Sequence, residues 1–200
     1  MKYRAVLFDL LTGLLDSWTV WNRVAGSEAA GRKWRAAYLE LTYGCGAYRP
    51  YETLVAEAAL ASGLSTEHAS RLEKAWTTIE PWEEAPSVLS SFDCRLGVVT
   101  NCSERLGRAA AARVGVPFDV IVTSERAGFY KPHPRPYQLA LSELHLDAKD
   151  VLFVAGSGFD LIGTSRVGLD TYWHNRVGLK RPQAAPPPMR EERSLRGLLG

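Results

Sequence analysis

Cysteine is scarce in this chain: Cys45, Cys94 and Cys102 are an odd set without a C-x-x-C pair, which excludes a fully paired disulfide framework and a paired redox motif. Long hydrophobic runs are missing too. No segment approaches the roughly 18 unbroken apolar residues that crossing a bilayer requires. The amino end, Met1-Lys2-Tyr3-Arg4, leads into a short apolar run ending at Phe8, without the length or the small-residue cleavage site of a signal segment. A cytoplasmic protein with no membrane partner is expected. Neither sign of charge dominates, with 24 Lys and Arg against 22 Asp and Glu. The basic residues are dispersed apart from clusters such as Arg32-Lys33 and the stretch from Arg190 to Arg193, so nucleic acid is not an expected partner. No internal repeat is present, which excludes a solenoid.

What is present is a 200-residue chain, 46% hydrophobic, enough for one compact core and a modest insertion. Short apolar runs without helical period occur at Tyr3–Leu10, Arg95–Thr100, Phe118–Thr123, Val151–Ala155 and Asp170–Trp173, and predict buried strands. Helical patterns lie between the later ones, at Ser103–Val114, Pro136–His145 and Asp160–Val167, the last stopped by Gly168. This alternation predicts an α/β fold, a Rossmann-like parallel sheet flanked by helices. Residues 17–80 break the alternation with helical patterns near Glu28–Leu41, Pro50–Ser62 and Ser65–Thr78, and Tyr43–Gly46 reads as an interhelical loop. The expected organisation is therefore a core of residues 1–16 and 81–200, with a small helical cap of residues 17–80 inserted after the first strand. From Arg181 a Pro-rich linker is expected to lead to a closing helix near Glu191–Leu199.

Ligands in such sheets bind beyond the carboxyl ends of the strands. The polar residues there are Asp9, Thr100 and Asn101, Lys131, and Ser157 with Asp160. Each has a structural alternative, since Asp and Asn often cap helices and Lys-Pro often marks a surface turn. Two carboxylates, an amide, hydroxyls and an ammonium at four strand ends are more than packing alone requires.

The ordered set Phe8–Asp16, Val99-Thr100-Asn101, Tyr130-Lys131-Pro132 and Val151–Asp160 resembles the four motifs of the haloacid dehalogenase-like (HAD) superfamily. Within it the chain is most similar to the (S)-2-haloacid dehalogenases. Trp173-His174-Asn175-Arg176-Val177-Gly178 resembles their ending, and Trp34-Arg35 stands where their cap helix carries a Trp-Arg pair. Two local departures are visible: Leu11-Thr12-Gly13 exchanges the small and hydroxylated residues of the first motif, and Ala155-Gly156-Ser157 shortens side chains of the fourth.

The resemblance implies a hydrolase with no cofactor, Asp9 attacking a small 2-haloalkanoic acid to form an aspartyl ester that water opens to a 2-hydroxy acid. It implies Lys131 and Asp160 as further catalytic residues, and Arg35, Thr100, Asn101, Leu11 and Ser157 as substrate-binding residues. A homodimer is a further expectation from it. Leu11 stands where phosphatases of the superfamily carry an acid to protonate the leaving group, and halide needs no proton to leave. Two alternatives stand beside this reading. One is a Mg²⁺-dependent phosphatase or phosphonatase-like hydrolase using Asp9, the Leu11 carbonyl and Asp160 as oxygen ligands; the other is a degenerate member of the fold that only binds.

Overall fold

The protein is described by a computed structural model covering residues 2–200. Among them the strands are β1 (Ala5–Phe8), β2 (Arg95–Thr100), β3 (Val120–Thr123), β4 (Val151–Ala155), β5 (Asp170–His174) and β6 (Arg190–Glu192). They form one sheet in the order β3-β2-β1-β4-β5-β6, with every neighbouring pair parallel. β1 is central, pairing Phe8 with Val98 on one side and Val154 on the other. Its four residues are all buried, as expected of a strand covered on both faces. Chain connections run outward in both directions from β1, so the crevice beyond β1 and β4 is the point at which ligands bind in such sheets.

The helices are α1 (Ser17–Ala25), α2 (Glu28–Gly44), α3 (Tyr51–Ala61), α4 (Thr66–Lys74), α5 (Ala85–Ser90), α6 (Glu104–Arg113), α7 (Ser124–Ala127), α8 (Pro134–Leu144) and α9 (Asp160–Val167). The first four lie between β1 and β2 and form the helical insertion. It enters and leaves at one place: Leu15 pairs antiparallel with Pro81, the Asp16 amide donates to the Glu80 carbonyl at 2.8 Å, and the Trp82 amide donates to the Leu14 carbonyl at 2.9 Å. Its interior is aromatic. Trp21 packs on Trp34 with ring centroids 4.6 Å apart, and Tyr51 meets Tyr38 and Trp76 edge-on at 5.4 and 5.8 Å.

Three expectations need correction. Helix α1 falls in a stretch without an expected element, because Trp18-Thr19-Val20-Trp21 is rich in β-branched and aromatic residues that disfavour helix. The Asp16 side chain caps it by accepting from the Thr19 amide, and Gly26 closes it at φ 87°, local signals that outweigh propensity. Helix α2 runs on through Tyr43 and Gly44, and the chain turns only at Cys45 and Gly46. The end of the chain is a strand followed by a 3-10 turn at Leu195–Leu199, not one helix. Here backbone pairing of Arg190–Glu192 with Tyr172–His174 decides the conformation, on an edge whose charged side chains discourage further pairing. No helix among the described residues is long and apolar enough to cross a membrane.

Trp76 joins the insertion to the core: its buried indole donates to the Leu106 carbonyl of α6 at 2.8 Å. Trp76→Ala is expected to lower unfolding free energy by about 3–5 kcal/mol, the cost of truncating a buried Trp. Urea titration checks this, and a loss under about 1 kcal/mol would show that the indole does not anchor the two parts.

Candidate active site

Asp9 follows the last residue of β1, where its amide still donates to the Val154 carbonyl of β4 at 2.9 Å. Its carboxylate is nearly saturated. Oδ2 accepts from the Thr12 amide at 3.0 Å, the Thr12 hydroxyl at 2.5 Å and the Gly13 amide at 2.9 Å. Oδ1 accepts from Lys131 Nζ at 2.8 Å. The same ammonium lies 3.0 Å from Asp160 Oδ1, which also accepts from the Tyr137 hydroxyl at 2.8 Å.

Burial pushes the Asp9 carboxyl upward, but the Lys131 charge and the donors around it win and hold it below the usual carboxylate value. For Lys131 burial works against the charge, while Asp160 and Asp9 restore it and raise the ammonium above its ordinary value. Asp160 is raised, by burial first and by its neighbour Asp9, because the shared ammonium compensates it only in part. At neutral pH the site therefore holds an ionised, hydrogen-bonded Asp9 beside a charged Lys131.

Two glycines make this arrangement possible. A Cβ at Gly156 would stand 2.2 Å from the Gly13 amide and 2.4 Å from the Thr12 hydroxyl, so a side chain after β4 would displace the donors on Asp9. A Cβ at Gly163 would stand 2.4 Å from the Tyr137 ring and push its hydroxyl off Asp160. Thus the exchanged first motif and the shortened fourth motif fit one another physically. Thr12 fills the room that Gly156 leaves.

A cavity of about 300 Å³ opens over these groups, lined by Asp9, Leu11, Asn101, Lys131, Ser157 and Asp160 from the core and by Trp18 and Arg35 from the insertion. Arg35 is buried, makes one hydrogen bond, to Ser17 Oγ at 3.0 Å, and stacks on the Trp18 ring at 4.2 Å. Burial lowers its pKa from a very high ordinary value, and it has no carboxylate partner among the described ion pairs. Trp34 turns inward and donates to the Val55 carbonyl at 2.9 Å.

The expectation that Thr100 and Asn101 hold the substrate changes in detail. Thr100 does not line the cavity, and its buried hydroxyl has no hydrogen-bond partner among the described residues. Asn101 lines the cavity but spends its amide on the Lys131 loop, accepting from the Lys131 amide at 2.7 Å and donating to the Lys131 carbonyl at 3.0 Å. Its amide thus holds the backbone of Lys131 in place. The Ser157 hydroxyl accepts from the Phe159 amide at 3.3 Å, at the cavity wall. The Cys102 thiol is fully buried and pushed far up by burial, which suits packing, not nucleophilic attack. As oxygen ligands for a cation, Asp9 and Asp160 already share Lys131, and the Leu11 carbonyl accepts from the Ser17 amide at 3.3 Å. Lys131 already supplies one positive charge between the two carboxylates, so a Mg²⁺ would have to share them with the ammonium.

Several residues at the cavity or behind its wall were given no role from sequence. Tyr43 reaches the cavity from the last turn of α2 and packs on Phe159 at 4.5 Å; only its place at the carboxyl end of an amphipathic helix signals it. Asn175 grips the following loop, accepting from the Leu179 amide at 2.7 Å and donating to the Leu179 carbonyl at 2.9 Å, which brings Leu179 to the wall. His174 Nδ1 lies 2.8 Å from the Gly13 carbonyl; the carbonyl can only accept, so Nδ1 carries the proton. Trp18 and Phe159 line the cavity, whereas Tyr51 and Tyr137 are buried beside and beneath it.

Comparison with known proteins follows the same lines. The family model for haloacid dehalogenase-like hydrolases matches residues 6–174. The chain is 27% identical to an (S)-2-haloacid dehalogenase of Pseudomonas sp. (strain YL), over 98% of this chain and 93% of that one. Among solved structures it is similar to a dehalogenase with an intermediate complex, at TM-score 0.85, 25% identity and coverage of 98% and 96%. A third likeness, of fold alone, is to the L-2-haloacid dehalogenase of Xanthobacter autotrophicus with chloropropionic acid covalently bound, at TM-score 0.88, 20% identity and coverage of 98% and 96%.

Removing the ammonium would leave two buried carboxylates without a counterion. Lys131→Met is expected to cost about 3–5 kcal/mol at neutral pH. The loss should shrink as pH falls into the carboxylate range. In the native protein Asp9, with its lowered pKa, contributes stability above its unfolded value that is lost as pH falls through the folded one, while the variant is relieved when its carboxylates protonate. Denaturant midpoints from pH 7 downward test this, and a pH-independent difference would count against the ion triad.

Proposed function

Since the chain belongs to the haloacid dehalogenase-like hydrolases, we propose that it hydrolyses the carbon–halogen bond of 2-haloalkanoic acids through an ester on Asp9, without a metal cofactor. One observation carries this reading: an ionised carboxylate shares its cavity with a guanidinium that forms no ion pair among the described residues, and Leu11 stands where a phosphatase needs a proton donor. Residues 17–80 act as the cap over a core of residues 1–16 and 81–200.

Three donors occupy Asp9 Oδ2 and only Lys131 meets Oδ1, so Oδ1 keeps the freer lone pair and is the attacking atom. It bonds to C2 as the carbon–halogen bond breaks and halide leaves with the electron pair. Arg35 binds the anionic substrate and stabilises the departing halide, since a guanidinium stays charged and offers several donors. Water then attacks the Asp9 carboxyl carbon. Charge collects on Oδ2, where the Thr12 and Gly13 donors are already in place, the arrangement of an oxyanion hole. Asp160, raised in pKa, takes the water proton and passes it to the departing 2-hydroxy acid oxygen. Lys131 keeps Asp9 ionised before the attack and again once the ester has been opened.

Halide release from 2-bromopropionate that persists in EDTA is the expected result; phosphate release that requires Mg²⁺ would favour the phosphatase, and no alkylation of Asp9 the binding protein. In a single turnover in heavy-oxygen water the label should enter Asp9. Label found directly in the product would make Asp9 a base, and the ester would be abandoned. Arg35→Lys should lower kcat by about 10²-fold, the usual cost of a lost preorganised donor, because the ammonium keeps the charge but not the fork. Wild-type kinetics for this variant would remove Arg35 from the reaction.

A further inference from the structure

The polar groups that the proposed reaction needs, Asp9, Lys131 and Asp160 from the core and Arg35 from the insertion, occupy only part of the cavity lining. Beside the charged Arg32 and Lys180 the remaining wall includes Trp18, Leu39, Tyr43, Phe159, Leu179 and Pro182, each half-buried, so apolar faces border open space. The volume of about 300 Å³ lies at the lower end of sites that enclose drug-sized ligands. A halogenated acetate or propionate fills a fraction of it and leaves those faces uncovered. The room is built in. The stretch Gly156-Ser157-Gly158 keeps side chains short after β4, and a Cβ at Gly158 would come 2.7 Å from Pro182. Asn175 draws Leu179 into the opposite wall, and the Tyr43 and Phe159 rings meet at 44°, forming a corner that accepts a flat group.

Resting on the dehalogenase reading, we infer that the preferred substrate is a 2-halo acid whose second carbon carries a bulky apolar substituent, of the size of a benzyl group or longer alkyl chain. Covering these walls supplies binding energy remote from the reacting bond, and each buried methylene is worth about fourfold in affinity or rate.

The test is kcat/KM of the unmodified protein, read as halide release, for 2-bromopropionate, 2-bromohexanoate and 2-bromo-3-phenylpropionate. The expected order rises along the series, with the phenyl acid about tenfold or more above the propionate. Leu39→Trp, which places an indole in the outer space, should lower the phenyl-to-propionate ratio about tenfold. Turnover of propionate with equal or poorer use of the larger acids overturns this inference and leaves the dehalogenase reading intact. Halide from none of the three overturns that reading, and this inference with it. If Leu39→Trp does not fold, the series on the unmodified protein decides.

Discussion

One buried ammonium holds the site together. Lys131 Nζ lies 2.8 Å from Asp9 and 3.0 Å from Asp160, and so ties the end of β1, the loop after β3 and the start of α9 to one point. Buried charges are costly unless paired and hydrogen-bonded, and here each partner is secured by a further contact. Asn101 fixes the backbone of Lys131, Tyr137 steadies Asp160, and the turn after β1 supplies three donors to Asp9. Removing any one of these contacts changes how the remaining charge is shared. The charge state of Asp9 is thus a property of the network and not of the carboxylate alone.

The cation from the insertion is held by different physics. Arg35 is kept by aromatic faces, Trp18 at 4.2 Å and Trp21 at 5.4 Å, and by a single hydroxyl. Aromatic stacking positions a guanidinium while leaving most of its donors unspent. Packing among Trp21, Trp34, Tyr38, Tyr51 and Trp76 makes the helices behind it stiff enough to aim it. An anion entering the cavity meets a cation that need not be taken from another partner.

Much of this was legible in sequence. The strands from Arg95 and Val151 stand where their apolar runs place them, because a fully covered parallel strand leaves a continuous apolar signature. The convergence of Asp9, Lys131 and Asp160 was legible as well, since parallel topology gathers strand ends at one edge. What the pattern hid was set by contacts that periodicity does not encode. A capping Asp16 makes a helix of a strand-like run, and edge pairing turns Arg190–Glu192 into β6. The roles of Asn101 and Thr100 depended on which way each side chain turned. The fit of Thr12 to Gly156 appears only in space, as two separate oddities that are one packing solution.

The paired chain segments at Leu15 and Pro81 carry a consequence of their own. All four helices of the insertion are strung from this clasp, while β1 registers directly against β2 and β4 without them. The stretch that carries Trp18 and Arg35 can therefore vary on separate terms from the strands that gather Asp9, Lys131 and Asp160, provided the clasp and the Trp76 contact with α6 are kept.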